Sequence, residues 1–281
     1  MKKEIKDIDN KNKIMRVTTV DERWYVFEGK DEETGLPEWI YEPSSTYICS
    51  FYHKDEALIS WIAKNGDEAE LIKKCAGERG SKVHNAIEDL LNGEDVAIDA
   101  KYMNPTTKKL EELTVDEYEC VMSFKDWYDE MLKDYEVEVL AVEIVVRNEE
   151  HGYAGTLDQL LKLTHRETGE EQIILQDIKT SKSIHTTHRM QLSSYLHCPI
   201  VIDKKKVKVD KMQILQVGYK YNKYKKYKAT EVEDIFDLFL ATKQSFDYET
   251  KGKTPLQREF PLKLSLGLPK PKTSKQEVHS T

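Results

Sequence analysis

Gln172-Ile173-Ile174-Leu175-Gln176-Asp177-Ile178-Lys179 reads as a strand that ends in two charges. Successive side chains of a strand alternate faces, so Asp177 and Lys179 project together, on the face that Ile173 and Leu175 also occupy. A carboxylate and an ammonium on an apolar face are costly unless a metal or a substrate satisfies them. The same Asp-x-Lys spacing also describes an ordinary surface ion pair. Upstream, Tyr153 to Leu163 forms a second strand, joined to the first by the polar turn His165 to Glu171, and Val137 to Val146 a third, rich in β-branched residues.

Helices are expected on both sides of these strands. Thr114 and Glu117 make a capping box that opens a helix through Leu132, with a stripe of Val115, Tyr118, Met122 and Trp127. A helix from Asp67 to Leu91 carries Leu71, Ile72, Val83, Ile87 and Leu90, with Gly77 and Gly80 suggesting a bend, and a shorter helix from Asp55 stops at Gly66. Residues 94–113 read as a polar connector. Ser183 to Cys198 is an amphipathic helix, Met212 to Tyr219 a strand, and Glu231 to Tyr248 a last helix burying Val232, Ile235, Phe236, Phe239 and Leu240. Residues 14–47 alternate as a β-hairpin or two short strands. The order describes an α/β (α+β) chain, one mixed central sheet flanked by helices, with an N-terminal β-hairpin and a C-terminal helix added. Order is expected from residue 14 to residue 260, with a charged, disordered stretch at 1–13 and a flexible tail at 261–281.

With 39% hydrophobic and 33% charged residues among 281, a buried core is expected and a wholly disordered chain is excluded. No apolar run approaches the length of a membrane span, and Met1 to Lys13 lacks the apolar centre of a secretory signal. Four cysteines without a CxxC pair suit reduced thiols in a cytoplasmic protein. The net charge of −8 gives no bulk sign of a nucleic-acid binder, but the distribution does. Between Lys204 and Lys228 stand ten lysines and one acid, Asp210, with Tyr219, Tyr221, Tyr224 and Tyr227 interleaved. Lys223, Lys225 and Lys226 there could meet phosphates while tyrosines stack bases; a solvated hairpin explains the same pattern.

Three further patterns surround the Asp-x-Lys strand. Gly155-Thr156-Leu157-Asp158 lies on the neighbouring strand, where a hairpin can bring Asp158 beside Asp177. Paired carboxylates repel without a cation between them, and oxygen ligands of this kind suit Mg²⁺ or Mn²⁺. A turn-capping aspartate is the plainer alternative. Arg79-Gly80-Ser81-Lys82-Val83-His84 leads to Glu88, one helical turn beyond His84. Gln191 and Tyr195 are likewise one turn apart on the helix after the Asp-x-Lys strand.

Taken in order, RGSKVHNAIE, GYAGTLD, LQDIKTS and QLSSY resemble the RecB-type branch of the PD-(D/E)XK nuclease superfamily, over residues 77–195. The resemblance implies a restriction-endonuclease-like core and a Mg²⁺- or Mn²⁺-dependent deoxyribonuclease, without nucleotide. It implies that His84, Asp158, Asp177 and the backbone carbonyl of Ile178 hold the metal. By the same resemblance Lys179 acts with Asp158 and Asp177 in catalysis, and Gln191, Tyr195 and Arg79 contact DNA. Glu88 and Glu143 are near enough in sequence order to reach the metal through water, although strand-edge or helix-surface positions are their ordinary fate. A stand-alone build without helicase resembles phage recombination or replication exonucleases and mitochondrial single-strand exonucleases. Hence the expectation is an exonuclease of DNA single strands or duplex ends, in a bacterial or phage-infected cytoplasm, with a single-strand-binding or annealing protein as a further partner. A flap endonuclease and a non-catalytic DNA-binding module on the same fold are the alternatives. Some relatives hold an iron–sulfur cluster on one early and three late cysteines. Cys49 could be the early one, but none follows Cys198, so that branch is excluded.

Overall fold

The computed structural model describes residues 4–9, 14–19, 22–30, 35, 37–54, 56–218, 227–252 and 255. Strands β1 (Glu4–Asp9), β2 (Ile14–Thr18), β3 (Arg23–Lys30) and β4 (Pro37–Pro43) form an antiparallel sheet in that order. This sheet is larger than the expected hairpin. It also recruits residues 4–9 from the stretch expected to lack order, because the backbone of β1 finds a full ladder on β2. Helices α1 (Ser45–Cys49), α2 (Glu56–Asn65) and α3 (Glu68–Leu91) follow. Helix α3 runs through Gly77 and Gly80 as one continuous element and is not divided there.

Residues 94–113 are not a plain connector. Strands β5 (Lys101–Met103) and β6 (Leu110–Glu112) pair as a hairpin. Asn104 organises its turn, accepting from the amides of Thr106 and Thr107 at 2.8 and 3.1 Å and donating to Glu111 at 2.8 Å. Tyr102 anchors the hairpin to α3 by donating its hydroxyl to Asp89 at 2.8 Å. Helix α4 (Val115–Asp134) then opens with the expected Thr114/Glu117 capping box.

The central sheet contains β7 (Tyr135–Asn148), β8 (Tyr153–His165) and β9 (Glu171–Lys179). After α5 (Thr186–Leu196) and the small hairpin of β10 (Val201–Ile202) and β11 (Lys205–Lys206), the chain adds β12 (Lys211–Val217) and β13 (Tyr227–Glu231), then α6 (Phe236–Thr250). The order is β13-β12-β9-β8-β7, antiparallel except for the parallel β9–β12 pair. A mixed sheet flanked by helices is therefore the architecture. Val232 and Ile235 precede α6 instead of lying in it, because β13 takes the chain to Glu231.

Alternation along β9 and β12 sorts the two faces. Leu175, Met212 and Ile214 join a core with Met190 and Leu192 of α5, Phe239 and Phe246 of α6, and Trp24 and Val26 of β3. Ile174, Ile178, Leu215 and Val217 face Val83 and Ile87 of α3 and Phe124 and Trp127 of α4. The predicted helix stripes need correction. Leu71, Ile72 and Val115 are exposed near the helix starts, Met122 faces outward, and α4 instead buries Cys120, Val121, Phe124 and Trp127. Lys82 of α3 and Glu117 of α4 form a buried ion pair at 2.7 Å across this layer.

Contacts with β7 and β8 fix the N-terminal sheet. Arg147 donates to Glu42 at 2.9 and 2.7 Å and lies 4.3 Å over the Phe27 ring. The Tyr25 hydroxyl hydrogen-bonds the Thr156 hydroxyl at 2.7 Å. Inside the central sheet, Gln159, Gln176 and Gln213 stand in register on adjacent strands. Gln159 donates to Gln176, and Gln176 donates to Gln213. Among the described residues, no helix is long and apolar enough to cross a membrane.

Candidate metal centre

Strands β8 and β9 are paired from Thr164↔Glu171 to Gln159↔Gln176, and there they part. Beyond that rung β8 continues on β7, while β9 continues on β12. Asp158 and Asp177 are the first residues past the parting. Across the fork, the amide of Ile178 donates to Asp158 Oδ2 at 2.7 Å. Helix α3 brings His84 to the fork, with Nδ1 3.6 Å from Asp158 Oδ2 and Nε2 2.9 Å from the carbonyl oxygen of Ile178.

A third group completes the cluster. His84, Glu143 and Asp158 each place one ligand-capable atom within 4.8 Å of the others, and His84 Nδ1 lies 4.0 Å from Glu143 Oε1. Glu143 has a backbone φ of 51°, a left-handed conformation that costs a non-glycine residue energy and is concentrated at functional sites. Sequence reading offered no signal that would raise Glu143 above an ordinary strand carboxylate. Periodicity carries no information about a single residue held out of the β region.

Asp177 departs from the expected arrangement. Its carboxylate is 1% exposed and turns to Lys179 instead of joining the His84, Glu143 and Asp158 group. Lys179 Nζ donates to Asp177 Oδ1 at 2.7 Å and stands 2.6 Å from Oδ2, which accepts no hydrogen bond. The ammonium of Lys179 thus sits against both oxygens of this buried carboxylate and supplies its counter-charge. Ile178 offers its carbonyl at the fork, while its side chain packs on the α3 and α4 side.

Charge at the fork follows from crowding. Burial pushes the Asp177 carboxyl above the ordinary range, with Lys179 opposing and Asp158 reinforcing the shift. Burial works against a charge on Lys179, yet Asp177 and Asp158 outweigh it and raise its pKa. The lysine is thus held as an ammonium, not poised as a neutral base. Burial likewise opposes protonation of His84, but Asp158 and Glu143 prevail and hold the imidazole up at about 9. An ion at this site would compete with protonation of His84, because a metal-ligating imidazole must be unprotonated.

The fork opens into a cleft of about 430 Å³. Lys179, Gln191 and Tyr195 line it beside His84, Glu143 and Asp158. Gln191 donates to the Tyr195 hydroxyl at 2.8 Å, so this pair acts as a unit on α5. Arg79 is not among the lining residues; its charge acts on Cys120 of α4. Glu88 is outside the ligand cluster. Lys223, Lys225 and Lys226 lie outside the described residues, as do Tyr219, Tyr221 and Tyr224. The structure adds cleft residues that sequence reading missed: Arg16, Arg23 and Tyr25 from the N-terminal sheet, and Met103, Pro105 and Lys108 from the β5–β6 hairpin. No family model matches the sequence, and no curated protein matches it.

Proposed function

We propose that this chain is a Mg²⁺- or Mn²⁺-dependent nuclease with a restriction-endonuclease-like core, hydrolysing phosphodiester bonds of DNA from strand ends. One observation carries the reading: where two central strands part, an imidazole and two carboxylates converge next to a buried Asp–Lys pair, in a cleft that also displays guanidinium and ammonium groups. Carboxylates with one imidazole form a donor set that suits these ions. His84, Glu143 and Asp158 would hold the ion, with Asp177 and the Ile178 carbonyl beside them. A divalent ion there would supply acidification of water and neutralisation of charge at the scissile phosphate.

The chain's own groups do the rest. Lys179, kept protonated and aimed by Asp177, presents a fixed ammonium to a phosphate oxygen. Tyr195, braced by Gln191, forms part of the wall against which the strand rests. The Ile178 amide orients Asp158 through Oδ2 and leaves the second oxygen of that carboxylate for ligation.

A second reading, a DNA-holding module that does not cut, has the Asp177–Lys179 ion pair in its favour, since that pairing keeps Asp177 out of the ligand cluster. The test is an assay on end-labelled single strands, blunt duplexes, flaps and closed circles, with and without Mg²⁺ or Mn²⁺. Metal-dependent shortening from ends, lost in Asp158→Asn, is the expected result. Cleaved circles would make the enzyme an endonuclease. Binding without cleavage of any substrate would establish the second reading.

A further inference from the structure

The N-terminal sheet has two different faces. On β2, Met15 and Val17 are buried in the core while Arg16 and Thr18 point the other way. The register pairs Arg16 with Tyr25 and Thr18 with Arg23. Residues directly opposite on antiparallel strands share a face, so Arg16, Tyr25 and Arg23 form one patch. That patch lines the cleft. Its position relative to the fork is set by the Tyr25–Thr156 hydrogen bond at 2.7 Å, and Thr156 is two residues from Asp158 on the same strand. Arg16 is one inter-strand step, about 5 Å, from Tyr25.

Arg16 Nε is shielded from solvent and has no hydrogen-bond partner among the described residues. A guanidinium held so, next to an exposed Arg23, has donors available for an anion outside the chain. We propose that Arg16 and Arg23 are a phosphate anchor for one nucleic-acid strand, holding the backbone beside the bond that the fork attacks. This rests on the nuclease reading and adds the substrate class to it: the strand in the cleft is single. A cleft of about 430 Å³ lies in the size range of small-molecule sites, about 300–1,000 Å³. That space takes a nucleotide or two of one strand. Met103 and Pro105 give the same cleft apolar surface against which an unpaired base can lie.

The experiment is fluorescence anisotropy of a labelled thymidine oligonucleotide and of a blunt duplex, with Ca²⁺ in place of Mg²⁺ to prevent cutting, across a salt series. Wild type should bind the single strand more tightly than the duplex. Arg16→Gln with Arg23→Gln should weaken single-strand binding about tenfold or more, since hydrogen bonds to charged groups are the stronger class. The slope of log affinity against log salt should flatten by about 1.4, at about 0.7 per lost phosphate contact. Lysine at both positions should restore the slope and only part of the affinity, because the charge returns without the planar fork. Arg23→Gln alone, at an exposed position, guards against a folding artefact and should flatten the slope by about 0.7. If wild type binds and cuts but the double Gln variant keeps its affinity and slope, the anchor is wrong and the nuclease reading stands. If blunt duplex binds as tightly as single strand, the single-strand assignment is wrong. If wild type binds neither and cuts nothing, the nuclease reading itself is overturned.

Discussion

Gly155 lies beneath the ring of Tyr195 so closely that a Cβ at position 155 would stand 2.2 Å from Tyr195 Cε1. Tyr195 is buried and its hydroxyl is held by Gln191, so the ring has little freedom to retreat. The absence of a side chain at 155 is what allows α5 to approach β8 and present Tyr195 to the cleft. The glycine of β8 and the Gln191–Tyr195 pair of α5, two elements apart along the chain, are one packing contact.

Gly155→Ala should therefore destabilise the chain by about 1–3 kcal/mol, the range for forcing extra atoms into a packed core. Chemical denaturation measures the loss. The displaced ring should also weaken strand binding. An unchanged denaturation midpoint would mean that α5 is free to shift.

Asp177→Asn is expected to abolish cleavage. Removing one of two crowded carboxylates relieves repulsion, but the loss of the Lys179 pairing outweighs that relief. Buried Asp177 carries the half-buried ammonium of Lys179, and the cost of about 3–5 kcal/mol for breaking a fully buried pair is the upper bound here. Both Asp177→Asn and Lys179→Met should lower the melting temperature, and the double replacement should be less harmful than the sum of the two. Additive losses would show that the pair is not coupled.

Mn²⁺ should raise the melting temperature of the wild type in the absence of any nucleic acid. A ligand at about a hundredfold its dissociation constant stabilises by about 2.7 kcal/mol. Asp158→Asn and Glu143→Gln should each reduce that gain. Equal gains in wild type and both variants would place the bound ion elsewhere.

His188 supplies a pH test away from the ligand cluster. Burial first, then the charges of Lys179 and His185, push its pKa down from 6.5 to about 3, and its Nδ1 accepts from the His185 amide at 3.3 Å. Below its ordinary pKa the unfolded chain takes up a proton that the folded chain refuses, so this group lowers stability as pH falls from about 6.5 toward 3. His188→Gln, which can still accept that hydrogen bond, should lose less stability than wild type between pH of about 7 and about 5. Equal losses would show that His188 is protonated in the folded state.

The strands, the Thr114 capping box and the long helices were legible because each carries a repeating signal: alternation, a cap, a turn-spaced stripe. His84, Asp158 and Lys179 were legible as candidates through their spacing and order, and the fold brings them to one cleft. Glu143 and Glu88 stood level as carboxylates able to reach a metal through water, and the pattern could not separate them, because a left-handed φ at one residue leaves no trace in it. Arg16 and Arg23 were hidden for another reason. On a strand that is half buried, an outward arginine reads as solvent-facing until a second layer is known to stand opposite it. The exposed Leu71 and Val115 show the converse: helical spacing marks an apolar face but does not say how far along the helix its cover extends.

The row formed by Gln159, Gln176 and Gln213 stands on the last common rung of β8, β9 and β12, immediately before Asp158 and Asp177 diverge. Apolar side chains tolerate a two-residue slip between strands, because the same face stays inward. Amide side chains do not, since a slip would bury unmatched donors and acceptors on three strands together. The glutamines thus act as an alignment key. They make the relative height of the two aspartates a property of the folded register, fixed before any cation or substrate arrives.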